Sequence, residues 1–497
     1  MPDESTAVTA AAAAPAGEAN PRRWVALVVI AVAQLMVILD ATVVNIALPQ
    51  AQADLGISDA DRQWVVTAYT LTFGGLLLLG GRISDYWGRK RTFVVGIAGF
   101  AAASALGGAA TNGLTLFAAR ALQGSFGALL APASLALLTV LFTDTGERAK
   151  AFGVYGAIAG GGSAVGLVLG GVLTEYANWR WCLLVNVPVA VVAVAAALPL
   201  VPESRAHGDT RYDVPGAVLA TLGLLSVVFG FTKAATDGWR APVTLGFIAA
   251  GVLLLAAFVL VETRSSNPLL PMRILLDRNR GGTYIASALF GAGLFGAFLF
   301  LTFYLQVVLH YTPLTAGVAS LPITVGVLVA AGAATPLMPR IGPKPLMVAG
   351  SIIGTLAMLG LTRIGVSTSF YTHVLPAELV LGLGLGLTFV PLANVALVGV
   401  PDHDAGAASA TLNATQQVGS SLGIALLNTI YTTAVTAYFA SHAPGDPAGR
   451  LAGLVRGYAT AFAWGAGLLA LSAVVIAVLL RVHKEDLAST PRGTPVG

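Results

Sequence analysis

Apolar stretches long enough to cross a membrane recur along almost the whole 497-residue chain, and no other feature restricts its fold as much. A run of about 18 or more apolar residues forms a helix that spans a hydrocarbon core of about 30 Å, where each backbone polar group must be satisfied within the segment. The stretches fall at 24–48, 62–82, 92–110, 113–139, 149–173, 181–201, 214–232, 241–261, 282–309, 314–338, 344–363, 372–398, 405–434 and 458–481. These fourteen spans predict an all-α integral membrane protein. Composition agrees where it bears on solvent, since 10% of residues are charged and 56% apolar, against about 25% charged in soluble domains. The first run follows Arg22 and Arg23 and exceeds the roughly 7–15 residues of a signal-peptide core, so it reads as an uncleaved span.

The net charge of +4 would suit a nucleic-acid partner only if the basic residues clustered on one soluble face. They sort by membrane side instead: 19 Lys/Arg lie on the side of the N-terminus, seven on the other and one within a span. That positive-inside bias places both termini in the cytoplasm, as an even number of spans requires. No loop between spans exceeds about 25 residues, too short for an independent domain. There is therefore no room for an ATPase domain. No phosphate loop occurs either: Gly382, Gly384 and Gly386 lie inside an apolar span at the wrong spacing. Cys182 is the single cysteine, which excludes an intrachain disulfide and a multi-cysteine metal site. No cofactor is expected, and energy comes from an ion gradient or a partner. Five Lys against 22 Arg, with abundant Ala and Gly, points to a high-GC bacterial genome and hence to the bacterial cytoplasmic membrane.

A repeat organises the spans. Gly153, Val165, Gly166 and Gly170 recur as Gly406, Val418, Gly419 and Gly423, displaced by 253 residues, and Gly88, Lys90 and Gly96 recur as Gly342, Lys344 and Gly350, displaced by 254. Spans 1–6 thus correspond to spans 9–14, with the seventh and eighth as an insert. The expected organisation is a disordered cytoplasmic tail at 1–23, a six-helix bundle at 24–201, a two-helix insert with linkers at 202–280, a second six-helix bundle at 281–481 and a tail at 482–497. Parallel six-span repeats place substrate near the midplane between halves that rock around it.

Between the second and third spans lies Gly81-Arg82-Ile83-Ser84-Asp85-Tyr86-Trp87-Gly88-Arg89-Lys90-Arg91. As residues alone, this is a topogenic basic loop. It also closely resembles the signature loop of the major facilitator superfamily. That resemblance implies a conformational latch on the cytoplasmic side made by Gly81, Asp85, Gly88, Arg89 and Arg91. The repeat copy has Pro339 at the Asp position and has lost the latch. Further stretches resemble the fourteen-span drug:proton antiporters of that superfamily: Leu39–Pro49 in span 1, Arg120–Gly124 in span 4, Trp179–Trp181 through Asn186–Pro188 at the start of span 6, and Tyr304–Gln306 with Tyr311–Leu314 at the end of span 9. Gly156, Gly160, Gly166 and Gly170 form small-residue pairs for close helix packing, in a segment that the resemblance marks as the antiporter signature. Leu167 stands where that family usually has Pro.

Charged residues inside spans are costly unless paired or hydrated, and three occur: Asp40, Arg120 and Glu378. At about 1.5 Å per residue they lie about 12, 9 and 8 Å from the outer helix ends, in one layer. Asp40 is either a structural carboxylate or a proton carrier that Arg120 holds charged. Glu378 is either a hydrated vestibule residue or, if buried without a cation, a proton carrier or cation site. Asn45, Gln123, Tyr304, Gln306 and Asn394 are candidate substrate-cavity groups, although such residues also bridge helices. His310 and His373 sit at outer helix ends, and Pro132 and Pro391 are expected to bend spans 4 and 12. Together with the resemblance, these features imply a proton-coupled antiporter exporting drug-like or antibiotic small molecules. Its partners are expected to be substrate, protons and membrane lipids, with no nucleic acid and no metal, and the protein a monomer. An exporter of an endogenous metabolite would use the same machinery, whereas a non-transporting sensor would not need the charges. No nucleophile–base set marks an enzyme.

Overall fold

The computed structural model describes residues 22–142, 144–205, 213–265, 268, 272–400, 405–441, 447–482 and 484–485. The expected tails, 1–23 and 482–497, fall almost wholly outside them. The first six long helices are α1 (Arg23–Leu55), α2 (Trp64–Trp87), α3 (Arg89–Gly108), α4 (Gly113–Leu141), α5 (Thr145–Tyr176) and α6 (Trp181–Leu200). A hairpin follows, α7 (Val214–Asp237) and α8 (Pro242–Arg264). The last six are α9 (Arg278–Val308), α10 (Pro313–Ile341), α11 (Pro343–Leu361), α12 (Phe370–Val395), α13 (Ala405–Ser441) and α14 (Pro447–Leu479). Thirteen are long and apolar enough to cross a membrane by composition; α5, of 32 residues, matches them in length.

Local chemistry sets the helix ends. The side chains of Asn112, Asp144, Asp213, Asp277 and Thr312 accept backbone N–H groups of the first turns of α4, α5, α7, α9 and α10, satisfying donors that a helix start leaves open. The repeat is visible in the backbone: Gly88 between α2 and α3 has φ +122°, and its counterpart Gly342 between α10 and α11 has φ +86°. Both occupy a region that only glycine enters cheaply, which is why both copies of the turn keep it.

Packing repeats as well. In the first half α4 lies against α2 and α3, α5 against α1, and α6 against α1 and α3; in the second half α12 lies against α10 and α11, α13 against α9, and α14 against α9 and α11. The halves meet through α2 on α13 and α5 on α10, and the α7–α8 hairpin attaches to α2 and α13. Hydrogen bonds joining the halves gather toward one end: Gln306 to the Ile46 carbonyl (2.8 Å), the Leu314 N–H to Glu175 (3.0 Å), and Asn428 to the Asp59 and Ala60 carbonyls (2.9 and 3.2 Å). A bond between Thr70 and Ser421 (2.6 Å) lies deeper. This end, opposite the chain's N-terminus, is closed.

Large apolar side chains elsewhere face outward. Val243, Leu245, Val252, Leu253, Val259 and Leu260 of α8 are all exposed, a surface that would associate in water and is unremarkable in lipid. Several helices outrun the expected spans: α1 continues to Leu55, and α14 begins at Pro447 instead of 458. Hydropathy marks the hydrocarbon-crossing part, whereas polar residues such as Arg450 and Arg456 extend a helix past it. Pro132 and Pro391 do lie inside helices α4 and α12.

Candidate functional site

A buried polar cluster sits within the first half, where α1, α3, α4 and α6 converge. Asp40 and Arg120 are each 1% exposed, and the Arg120 Nη1 donates to Asp40 Oδ2 at 2.5 Å. The guanidinium also donates through Nε to the Val65 carbonyl (2.9 Å) and through Nη1 to Gln123 Oε1 (2.8 Å), while its face lies 4.5 Å from the Tyr69 ring centroid. The other carboxylate oxygen of Asp40 accepts from Gln123 Nε2 (2.9 Å) and Asn186 Nδ2 (3.0 Å). Both amides also reach Ser104 Oγ, at 2.7 and 3.3 Å. Both carboxylate oxygens are thus bonded, the condition under which a buried ion pair is tolerated.

The structure brings Asp40 and Arg120 together as their shared depth predicts. Glu378 lies on α12 in the other half, fully buried, and neither carboxyl oxygen has a hydrogen-bond partner among the described residues. Gln123, read as a cavity candidate, belongs to the Asp40 cluster. Asn45 and Asn394 donate to carbonyls of their own helices (Ala41, 2.9 Å; Val390, 2.8 Å), Tyr304 to the Gly365 carbonyl (2.9 Å), and Gln306 across the halves. His310 and His373 are exposed.

The loop between α2 and α3 has an unforeseen partner. Asp85 accepts from Arg89 at 3.0 Å, while Glu203, just past α6, accepts the Lys90 N–H (3.2 Å) and lies 3.6 Å from Arg91. A Cβ on Gly88 would lie 2.6 Å from Glu203 Oε1, so glycine admits the carboxylate. Gly81 meets Pro132 of α4. A Cβ on Gly166 would run into Thr42, and one on Gly170 would come within 2.9 Å of Val43 Cα, so these glycines seat α5 on α1; Gly419 and Gly423 do the same for α13 against Ala288 and Ala292 of α9. The side chains at 156 and 160 lie outside the described residues.

Sequence reading gave no site role to Asn186, which entered only as part of the span-6 stretch, nor to Ser104 and Tyr69, because a neutral polar residue within a span carries no pairing information. Glu203 is one of three acids, with Asp209 and Asp213, in the segment after the sixth span, and nothing in the sequence pairs it with the α2–α3 loop. Buried charge is also commoner than three residues: Arg62 (1% exposed), Glu262 (2%) and Asp213 (7%) join them. They lie at span edges, where depth counting gave no warning.

The major facilitator superfamily sequence profile matches residues 30–424. The chain belongs to this superfamily. It is therefore a multi-pass membrane transporter, not an enzyme. Among characterised superfamily members, it is 50% identical to puromycin resistance protein pur8 of Streptomyces alboniger, over 96% of this chain and 95% of that one. It is 38% identical to cephamycin export protein CmcT of Amycolatopsis lactamdurans, over 94% of each. Its fold matches that of an auto-inhibited POT family peptide transporter with a TM-score of 0.66, at 17% identity and over 93% and 98% of the two chains.

Proposed function

We propose that this transporter exports drug-like or antibiotic small molecules across the bacterial cytoplasmic membrane in exchange for protons, by alternating access and as a monomer. The observation that carries the coupling is the sealed Asp40–Arg120 pair with both carboxylate oxygens bonded. A proton arriving from outside neutralises Asp40 and leaves Arg120 as an uncompensated buried cation, an expensive state. Parting of α1 and α4 or entry of water relieves it, so protonation biases one conformation over the other. Glu378, with no hydrogen-bond partner for either oxygen among the described residues, serves as the counter-charge for cationic cargo or as a second proton site. The closed end is the outer one under the positive-inside rule, both termini are cytoplasmic, and the Asp85–Arg89 loop latches the inner end in the alternate state. No cofactor is involved beyond the proton gradient.

The names of the two relatives point to antibiotics among the cargo, and puromycin is the first to try. In inverted vesicles, an imposed pH difference alone should drive puromycin uptake, and a protonophore should collapse it. Uptake that ignores the gradient and follows added ATP would overturn proton coupling.

A further inference from the structure

We propose that the aromatic box of Phe300, Phe303, Tyr431 and Tyr458 is a binding site for an organic cation, occupied in this conformation by the guanidinium of Arg62 as a tethered stand-in. Arg62 belongs to the turn before α2, in the first half, whereas the rings come from α9, α13 and α14 of the second. Its Cζ lies 4.0 Å from the centroid of Phe303 and 4.5 Å from that of Tyr431. Tyr431 stacks on Tyr458 (5.0 Å) and on Phe300 (5.5 Å), which completes a continuous wall. Arginine and rings are all buried.

Polar contacts do little to hold this guanidinium. Nε reaches Asn428 Oδ1 at 3.4 Å, the carboxylate of Asp59 stands 3.5 Å away with its side chain 48% exposed, and Nη2 has no hydrogen-bond partner among the described residues. The contrast is Arg120, equally buried, which meets a carboxylate, an amide oxygen and a carbonyl at 2.5 to 2.9 Å. What compensates Arg62 is the negative face of the rings, whose attraction for a cation grows as water is excluded. Such a surface selects positive charge on a flat or compact organic body and has no requirement for a particular hydrogen-bond pattern.

Because the occupant is tied to the opposite half, separation of the halves at this end withdraws it and leaves the box open to the cleft. A free organic cation then takes its place and blocks its return. Cation binding and closure of this end are therefore mutually exclusive. This rests on the exporter reading only for how the cation reaches the cleft; the competition itself needs neither transport nor protons.

The test is equilibrium binding of phenyltrimethylammonium to the full-length protein in lipid nanodiscs, with tert-butylbenzene as its neutral isostere. Arg62→Ala should bind the cation about tenfold more tightly than the parent and the isostere no better. Phe303→Leu with Tyr431→Leu, added to Arg62→Ala, should remove the gain. Unchanged cation affinity in Arg62→Ala, a gain shared by the isostere, or a gain that survives loss of the rings overturns the proposal. Should Arg62→Ala fail to fold, Arg62→Lys supplies the measurement: its ammonium cannot lie flat between the rings, so a smaller gain is expected, and none in the folded variant is equally fatal. Failure of proton-driven puromycin uptake would leave this result untouched, so the two readings fail separately.

Discussion

At the residue scale, the Asp40–Arg120 pair and Glu378 are opposite solutions to keeping charge in a membrane. Removing one member of a bonded buried pair strands the other, at a cost of roughly 3–5 kcal/mol. Arg120→Ala should therefore lower thermal stability sharply, whereas Asp40→Asn combined with Arg120→Gln, which leaves no stranded charge, should recover much of the loss. Melting curves in detergent decide this, and a double variant no more stable than Arg120→Ala would contradict it. Asp40→Asn should also abolish gradient-driven export of every substrate. Glu378 has no hydrogen bond to lose among the described residues, so Glu378→Gln should leave stability unchanged or raise it, and should remove cationic cargo preferentially, since only that cargo loses a Coulomb partner. Should Glu378→Gln abolish all export while Asp40→Asn transports normally, the roles are reversed. Both acids were legible in the sequence because charge in an apolar run is conspicuous. The company they keep was not: Gln123 and Asn186 bond Asp40 from spans far apart in the chain, and Arg62 at a span edge gave no sign that it enters the other half.

At the element scale, glycine placement carried more information than hydropathy. The two offsets read from the sequence correspond to real equivalences: Gly166 and Gly419 each let a fifth helix touch the first helix of its half, and Gly88 and Gly342 each turn the chain with a positive φ. Valine at Gly166 should thus act through the same contact as valine at Gly419, each costing about 1–3 kcal/mol by overpacking and each measurable as a fall in folded, membrane-inserted protein. A loss at one site only would break the equivalence. Helix ends were less legible, as α14 shows, because capping and hydrocarbon thickness are set by different residues. The α2–α3 turn is the element where sequence and structure complement each other. Asp85–Arg89 was visible as a motif, but Glu203 holds the rest of the loop against the end of α6. If that loop governs conformational exchange and not the pocket, Asp85→Asn and Arg89→Ala should slow turnover while leaving substrate affinity largely intact. Equal loss of binding and transport in a folded variant would refute the latch.

At the scale of the whole molecule, exchange between two states requires that the closed end be held by few, breakable contacts. Asn428 is the most connected of them, donating to the Asp59 and Ala60 carbonyls and accepting from Arg62, so one side chain of the second half fastens the whole α1–α2 turn of the first. Each such bond contributes about 0.5–1.5 kcal/mol net, and Asn428→Ala removes three, a bias of roughly 1.5–4.5 kcal/mol toward parting of the halves. The α7–α8 hairpin is bonded to both halves, through Gln63 to Thr232 and through Thr429 to the Phe231 carbonyl, so parting of the halves at this end must also break one of these two bonds. Ser421 offers the reporter: it is fully buried where α13 meets Thr70 of α2, and Cys182, the single native thiol, is buried elsewhere and can be replaced by alanine. In that background a Ser421→Cys thiol should react with a membrane-impermeant maleimide only when this end, the outer one in the proposed orientation, opens. Adding Asn428→Ala should raise the labelling rate in intact cells at least tenfold, since a bias of about 1.4 kcal/mol is already tenfold in population. Labelling that stays at the parent rate would mean that the contacts of Asn428 do not hold this end closed, and that the barrier to opening lies in the apolar seam between α2 and α13 instead.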